Sequence, residues 1–299
     1  MNLRQLEYFV AIADLGTFTA AAEQLLVSQP SLSQQIAALE AELGGPLFER
    51  LPRGVRLTSA GHALLGEARA SLRHARRGRR AARMALGLDA GQIEVAVTTS
   101  AAVGILPRVL REWQHRHPEI EVSLLEFPHR RALEEAVRDG GGDLAVGSIP
   151  DQWPGQVRRL GWEEFVVVLP DGDPLLAGES VALEALAERR WVHFTRAHGL
   201  AEVVDFCCAT AGFSPRVAVR TSQVVTAPLF AAAGLGPALV PEHIVPAALT
   251  SLARPAVNRP VRAVCAFTRG DFTPLTSAFL AVLRDFPWGP KPHPAFDLA

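Results

Sequence analysis

Between Pro30 and Leu43 the chain carries a pattern that few folds can absorb. Leu32, Ile36, Leu39 and Leu43 follow one another at steps of four, three and four, so a helix here has a single apolar stripe. Pro30 suits the first turn of that helix, where its missing N–H has no intrahelical partner, and Gly44-Gly45-Pro46 ends it. Immediately before it, Ala20 to Leu26 is rich in strong helix formers, and Val27-Ser28-Gln29 forms the joint. Leu3, Leu6, Val10 and Ala13 mark an earlier helix, closed by Leu15-Gly16. Two helices joined by a three-residue turn, the second strongly amphipathic, make a helix-turn-helix.

The polar side of the second helix follows from its rotation of about 100° per residue. Gln34 lies opposite the stripe, with Ser31 and Ala38 on one flank and Ser33 and Ala37 on the other. Such a surface can enter a major groove, where Gln can bond an adenine edge and Ser a base or phosphate; it can equally be a solvated face, and periodicity does not choose. Leu47 to Thr58 then reads as a hairpin with Pro52-Arg53-Gly54 at its turn and Arg50, Arg53 and Arg56 around its tip.

From Ser59 to Gly87 no proline interrupts a long helix. Ala60, Leu64, Ala68, Ser71, Ala75, Gly78 and Ala82 fall on one line, and Arg69, Arg73, Arg76, Arg77, Arg80 and Arg83 on the other side. The small-residue seam fits close approach of a second helix, or packing against the helix's own domain. The arginine face is a solvated surface or a source of extra phosphate contacts.

After Gln92 the pattern changes to alternating strands and helices. Ile93-Val97, Ile120-Leu124 and Leu144-Gly147 are strands around helices Leu106–His115 and Ala132–Arg138. A second series runs through Trp191-Phe194, helix Ala201–Ala211, Val217-Val219, helix Val225–Ala233 and Ala238-Val240, with Phe165–Leu169 and Val264–Thr268 carrying the chain across and back. Two such halves predict two doubly wound lobes with a ligand at the strands' carboxyl ends or between the lobes. Thr98-Thr99-Ser100-Ala101 offers hydroxyls and N–H groups ahead of a helix, and the loops Phe127-Pro128-His129 and Phe194-Thr195-Arg196-Ala197-His198 add imidazoles and aromatic walls. A small carboxylate or other anion is the expected ligand; the alternative is a set of helix caps with no ligand.

Composition narrows the class. The 299 residues suggest about two domains, and a net charge of −1 excludes a uniformly basic coat. The charge is unevenly spread: residues 1–90 hold eleven basic against eight acidic side chains, and the remainder is acidic on balance. No signal-peptide profile opens the chain, and Pro228, Gly234, Gly236 and Pro237 break its longest uncharged stretch, so export and a membrane span are not expected. Three cysteines, two of them adjacent (Cys207, Cys208), form neither a disulfide framework nor a spaced zinc site. No Gly-x-Ser-x-Gly elbow, phosphate-binding loop or His-Glu-x-x-His motif occurs, which argues against an enzyme and gives no cofactor.

Several local strings make the reading specific. Phe18-Thr19-Ala20-Ala21-Ala22-Glu23-Gln24-Leu25, Ser28-Gln29-Pro30-Ser31-Leu32-Ser33, Leu39-Glu40-Ala41-Glu42-Leu43-Gly44, Pro46-Leu47-Phe48-Glu49-Arg50 and Leu57-Thr58-Ser59-Ala60-Gly61 together resemble the signature of LysR-type transcriptional regulators. Ile105-Leu106-Pro107 and Gly234 to Pro241 add a looser likeness to that family's effector domain. The resemblance implies a fold of α plus α/β type. A winged helix-turn-helix (1–58) is followed by a linker and dimerisation helix (59–88). A two-lobed, Rossmann-like effector domain similar to periplasmic binding proteins follows (89–299, lobe I about 89–162 and 268–299, lobe II about 163–267).

It further implies Gln29, Pro30, Ser31, Ser33 and Gln34 as base and phosphate contacts, with Arg50, Arg53 and Arg56 on the backbone. Carried over from the family, Thr98 and Ser100 become the best effector contacts, and the reading of the loops adds Ala101, Phe127, His129, Phe194, Thr195 and His198 to the expected effector set. Implied partners are promoter duplex carrying an interrupted palindrome, a small-molecule effector, and a second copy as homodimer or dimer of dimers (homotetramer), in the cytoplasm, with RNA polymerase left open. Two departures stand out. Where the family often has arginines, this chain has Gln34, Ala37 and Ala38, with no Lys or Arg between Ser28 and Leu43. The peroxide-sensing members carry a reactive cysteine after a His in the second-lobe loop, whereas His198 is followed by Gly199. A constitutive repressor with an empty pocket, or an enzyme or solute-binding domain fused to a DNA-binding module, are the rival readings.

Overall fold

The computed structural model describes residues 1–52, 54–85, 91–289, 291 and 295–298, and divides into two compact units, Met1–Asp89 and Ala90–Ala299.

The first unit is built from α1 (Leu3–Leu15), α2 (Phe18–Gln24), α3 (Gln29–Leu43), the hairpin β1 (Phe48–Arg50) and β2 (Val55–Leu57), and α4 (Ser59–Ala85). Each short helix is fixed by its cap. Asn2 and Gln5 form a reciprocal capping box on α1, Thr17 caps α2, and Ser28 accepts from the Ser31 amide at the start of α3. Phe9, Ile12, Ala21, Leu32, Ile36, Leu39 and Leu47 form the buried centre. The expected stripe stops one turn early: Leu43 is 47% exposed, because Gly44 in the left-handed conformation turns the chain away from the core at that point. Ala68 and Leu72 of α4 are buried in this same core, so the middle of the expected seam packs on its own unit, while Ser71, Gly78 and Ala82 stay exposed. Arg53, the helix end at Gly87 and the side chains of Arg77, Arg80 and Arg83 lie outside the described residues.

The second unit opens with the parallel strands β3 (Gln92–Thr98) and β4 (Glu121–Phe127), joined through α5 (Thr99–Gly104) and α6 (Leu106–Arg116). After α7 (Arg130–Arg138), β5 (Leu144–Ser148) pairs parallel to β3 on its other side. β6 (Val157–Val168) is twelve residues long, where the sequence marked only its apolar end; its charged first half, Arg158 to Glu164, hid the rest. Then come β7 (Arg190–Phe194), α8 (Gly199–Thr210), β8 (Arg216–Thr221), α9 (Thr226–Phe230), β9 (Ala238–Pro241), β10 (Ala253–Pro255) and β11 (Pro260–Phe267). α9 is shorter than expected: Ala231–Leu235 widens into a turn at Gly234, whose φ is +87°. α10 (Pro274–Arg284), capped by Thr273, and the two-residue β12 (Phe296–Asp297) complete the unit, and the sequence had marked neither.

β6 and β11 run antiparallel and belong to both lobes. Their sheet order is β10-β6-β11-β5-β3-β4, with β9 also on β6 and β12 on β11. One core gathers Val95, Leu106, Trp113, Val264 and Phe279 around β3 and α10. Another gathers Phe165, Trp191, Val204 and Leu239 around β7 and α8. The return crossing falls inside β11, since Val264, Ala266 and Phe267 already pack in the first lobe.

Candidate functional site

In the first unit, Gln29, Pro30, Ser31 and Gln34 are exposed, as are Ala37 and Ala38, and Ser33 is half-buried. The hairpin is tied to the helices from both ends. Glu40 of α3 accepts the Leu47 amide at 2.7 Å and the Phe48 amide at 3.2 Å, and Gly16 accepts the Val55 amide at 2.8 Å. Its two described arginines are both engaged. Arg56 reaches Glu49 on the facing strand at 2.6 Å, and Arg50 lies over the Phe18 ring. The Arg56 pair is exposed and worth little, so a phosphate can take its place.

In the second unit, the two loops expected to meet do meet. The Gly199 amide donates to the Pro128 carbonyl at 3.0 Å, bringing the start of α8 against the start of α7. Beside this contact opens a cleft of about 500 Å³ between the lobes. His129 and His198 line it, together with Arg130, Arg131, Arg196 and Arg262. Ser148 and Glu202 add polar groups, while Val203, Phe206 and Leu298 make an apolar wall.

Both histidines are helix caps: Nδ1 of His129 accepts the Ala132 amide at 3.1 Å, and Nδ1 of His198 accepts the Leu200 amide at 3.2 Å. With Nδ1 accepting, the neutral His198 ring carries its proton on Nε2, and that buried atom has no partner among the described residues. The ring stacks on Phe194, and burial, then Arg262 and His129, push its pKa down to about 4. Arg262 is held from behind by Glu163, directly opposite it in the β6–β11 register.

The other expected contacts lie elsewhere. Thr98, Ser100, Ala101 and Phe194 are buried outside the cleft wall. The Phe127 carbonyl accepts the Thr99 hydroxyl at 3.1 Å. The Thr195 carbonyl accepts the His198 amide. α5 is six residues long and has no side-chain cap. The sequence reading missed the cleft arginines and Leu298. Arg262 had a signal: a single charge in the apolar strand Pro260–Phe267, matched by Glu163 in β6.

Among the described residues no His, Cys, Asp and Glu cluster could hold a metal ion, and no helix is long and apolar enough to cross a membrane.

Residues 3–62 match the family model of the bacterial regulatory helix-turn-helix protein, lysR family, and residues 86–287 match the LysR substrate binding domain. The chain is 34% identical over 290 residues to the HTH-type transcriptional regulator TfdS of Cupriavidus pinatubonensis, covering 96% of each chain. It is 32% identical over 291 residues to the regulator ClcR of Pseudomonas putida, covering 95% of this chain and 98% of that one. Full-length CbnR solved in complex with its target DNA superimposes with a TM-score of 0.73 at 28% identity, covering 95% of this chain and 99% of that one. These matches span both units and agree with the helix-turn-helix and two-lobed architecture, so the chain belongs to the LysR family of DNA-binding, effector-responsive transcriptional regulators and is not an enzyme.

Proposed function

We propose that this regulator answers a small organic anion bound in the cleft between the lobes of its second unit. The observation that carries this reading is the arrangement of Arg130, Arg131, Arg196 and Arg262 around the cleft, with the unpartnered Nε2–H of His198 among them. Guanidiniums match a carboxylate in charge and in fork geometry, and a buried donor without an acceptor is stabilised by one. Val203, Phe206 and Leu298 supply apolar surface for the body of the ligand. The effector contacts are therefore His129, His198 and the arginines, rather than Thr98 and Ser100. The effector acts only through a difference in affinity between two lobe arrangements.

On DNA, Gln29, Pro30, Ser31, Ser33 and Gln34 face the bases, with Arg50, Arg53 and Arg56 on phosphates. CbnR, solved on its target DNA, supports this use of the helix-turn-helix. The exposed run Ser71, Gly78 and Ala82 of α4 packs against a second copy, giving a homodimer, or a dimer of dimers, on an interrupted palindrome. The protein works in the cytoplasm, with its thiols reduced.

The test is native mass spectrometry of the purified full-length chain, followed by thermal titration with a panel of aliphatic and aromatic carboxylates and their neutral amides. Carboxylates that raise the melting midpoint where their amides do not are the expected result. Equal response to both series would overturn the anionic reading.

A further inference from the structure

Leu26 occupies a position that leucine is poorly suited to hold. Its φ is +54°, in the left-handed region that disfavours side chains other than Gly, Asn and Asp. It is also 92% exposed, the highest value among the exposed large apolar side chains described. The turn leaves it no way to retreat. Leu25 and Val27 on either side are partly packed on the core, the Leu26 amide donates to the Glu23 carbonyl at 3.2 Å, and the Val27 amide donates to the Ala22 carbonyl at 3.0 Å. Two unfavourable terms, a strained backbone and a bare isobutyl group, therefore coincide at one residue.

That residue stands two positions before Ser28, the cap of α3, and is separated from the exposed run Ser28, Gln29, Pro30 and Ser31 only by the half-buried Val27. The start of a recognition helix is the part that meets base edges. From Ser28 to Leu39 this helix offers hydroxyls, amides and aliphatic groups and no charged side chain, Glu40 and Glu42 following only in its last turn. Its surface is thus suited to apolar complementarity. The apolar groups that duplex DNA presents in and beside the major groove are the thymine C5-methyl and the deoxyribose edge.

We propose that Leu26 is a specificity-determining contact that packs against the apolar C–H surface of the operator duplex. This rests on α3 being the reading helix, as set out above. The strain of the turn is then relieved of its second component, solvent exposure, only when DNA is bound.

The test uses the full-length chain and duplexes that it enriches from a random pool, with Leu26→Asn and Leu26→Gly as variants. Both replacements tolerate positive φ, so the variants are expected to melt at or above the wild-type temperature. Their affinity for the enriched duplex is expected to fall about tenfold for a pair of half-sites, by loss of buried aliphatic surface, with a smaller loss on random duplex. Replacing thymidine by deoxyuridine in the duplex separates the two sources. Weaker wild-type binding with unchanged variant binding identifies the thymine methyl; indifference of the wild type, with both variants still weakened, identifies the sugar. Variants that are stable, bind as tightly as wild type and enrich the same sequence would overturn the role of Leu26. A wild-type chain that enriches no sequence would overturn the reading of α3, and Leu26 with it.

Discussion

Arg262 and Glu163 sit opposite one another on β11 and β6, 2.6 Å apart, the carboxylate side chain only 4% exposed. The guanidinium lines the cleft and lies over the Phe165 ring, so one side chain links the cleft to the strands that join the lobes. Arg262→Met would leave Glu163 buried without this partner. We expect a loss of about 3 kcal/mol in the denaturant unfolding of the second unit. Arg262→Met together with Glu163→Leu should recover most of that loss. A single variant as stable as wild type would show that the pair is not needed.

Acid should weaken the second unit through His198. Its folded pKa of about 4 lies below the ordinary value of 6.5, so the unfolded chain takes up the proton first. The contribution is whole above pH 6.5 and declines as the pH falls from 6.5 towards 4, to a ceiling of about 3 kcal/mol. His198→Asn keeps an acceptor to cap α8 and removes the titration. Melting curves between pH 7 and 4.5 should therefore fall less steeply for this variant; parallel curves would refute the assignment.

The thiols should be inert in the native protein. Burial pushes Cys207 and Cys208 to about 12 and Cys265 to about 11, leaving almost no thiolate at neutral pH. A disulfide-exchange reagent at pH 8 should label none within minutes and all three in denaturant. Fast labelling of either adjacent cysteine would reopen a redox role.

Gly54 holds the hairpin against the end of α1. Its φ is +93°, and a Cβ added there would lie 2.5 Å from the Gly16 carbonyl oxygen. Gly54→Ala is expected to destabilise the first unit by about 2 kcal/mol and to weaken DNA binding through the displaced wing. Unfolding and DNA titration of the same preparation would measure both.

Gln34 and Arg56 should separate by their readouts. Gln34→Ala is expected to relax sequence preference, at about 1–3 kcal/mol of discrimination, and Arg56→Ala to weaken all duplexes and lower the salt dependence. Equal loss on cognate and scrambled duplex for Gln34→Ala would remove it from the base contacts.

Much of this architecture could be read from local signals, and the failures have physical causes. Caps, glycine stops and the stripe Leu32, Ile36, Leu39 are local, so α1 and α3 were legible to within a residue; α2 was expected at Ala20–Leu26 and lies two residues earlier, because helix propensity does not see the left-handed turn at Leu26. β6 was not, because its first half is charged and a strand window reads it as loop, while Glu163 and Glu164 pair with Arg262 and Arg259 far along the chain. The cleft suffered in the same way. His129 and His198 were found as loop residues, but Arg262 and Leu298 reach it through the pairing of β6, β11 and β12, which no local pattern encodes. Thr98 and Ser100 were singled out because hydroxyls before a helix suggest a cradle; that both are buried outside the cleft wall depends on packing that no local pattern encodes.

β11 shifts register against β6 between Val264 and Cys265, which places Leu160 as an extra residue on β6 near the point where the two lobes divide. Such irregularities bend a ribbon and wind it more tightly. Because the lobes share a hydrogen-bonded ribbon and not a slack loop, sliding them past one another would break backbone hydrogen bonds that a twist about the ribbon's long axis would keep. On the reading proposed above, a ligand that draws the lobes together would act as a torque on this ribbon.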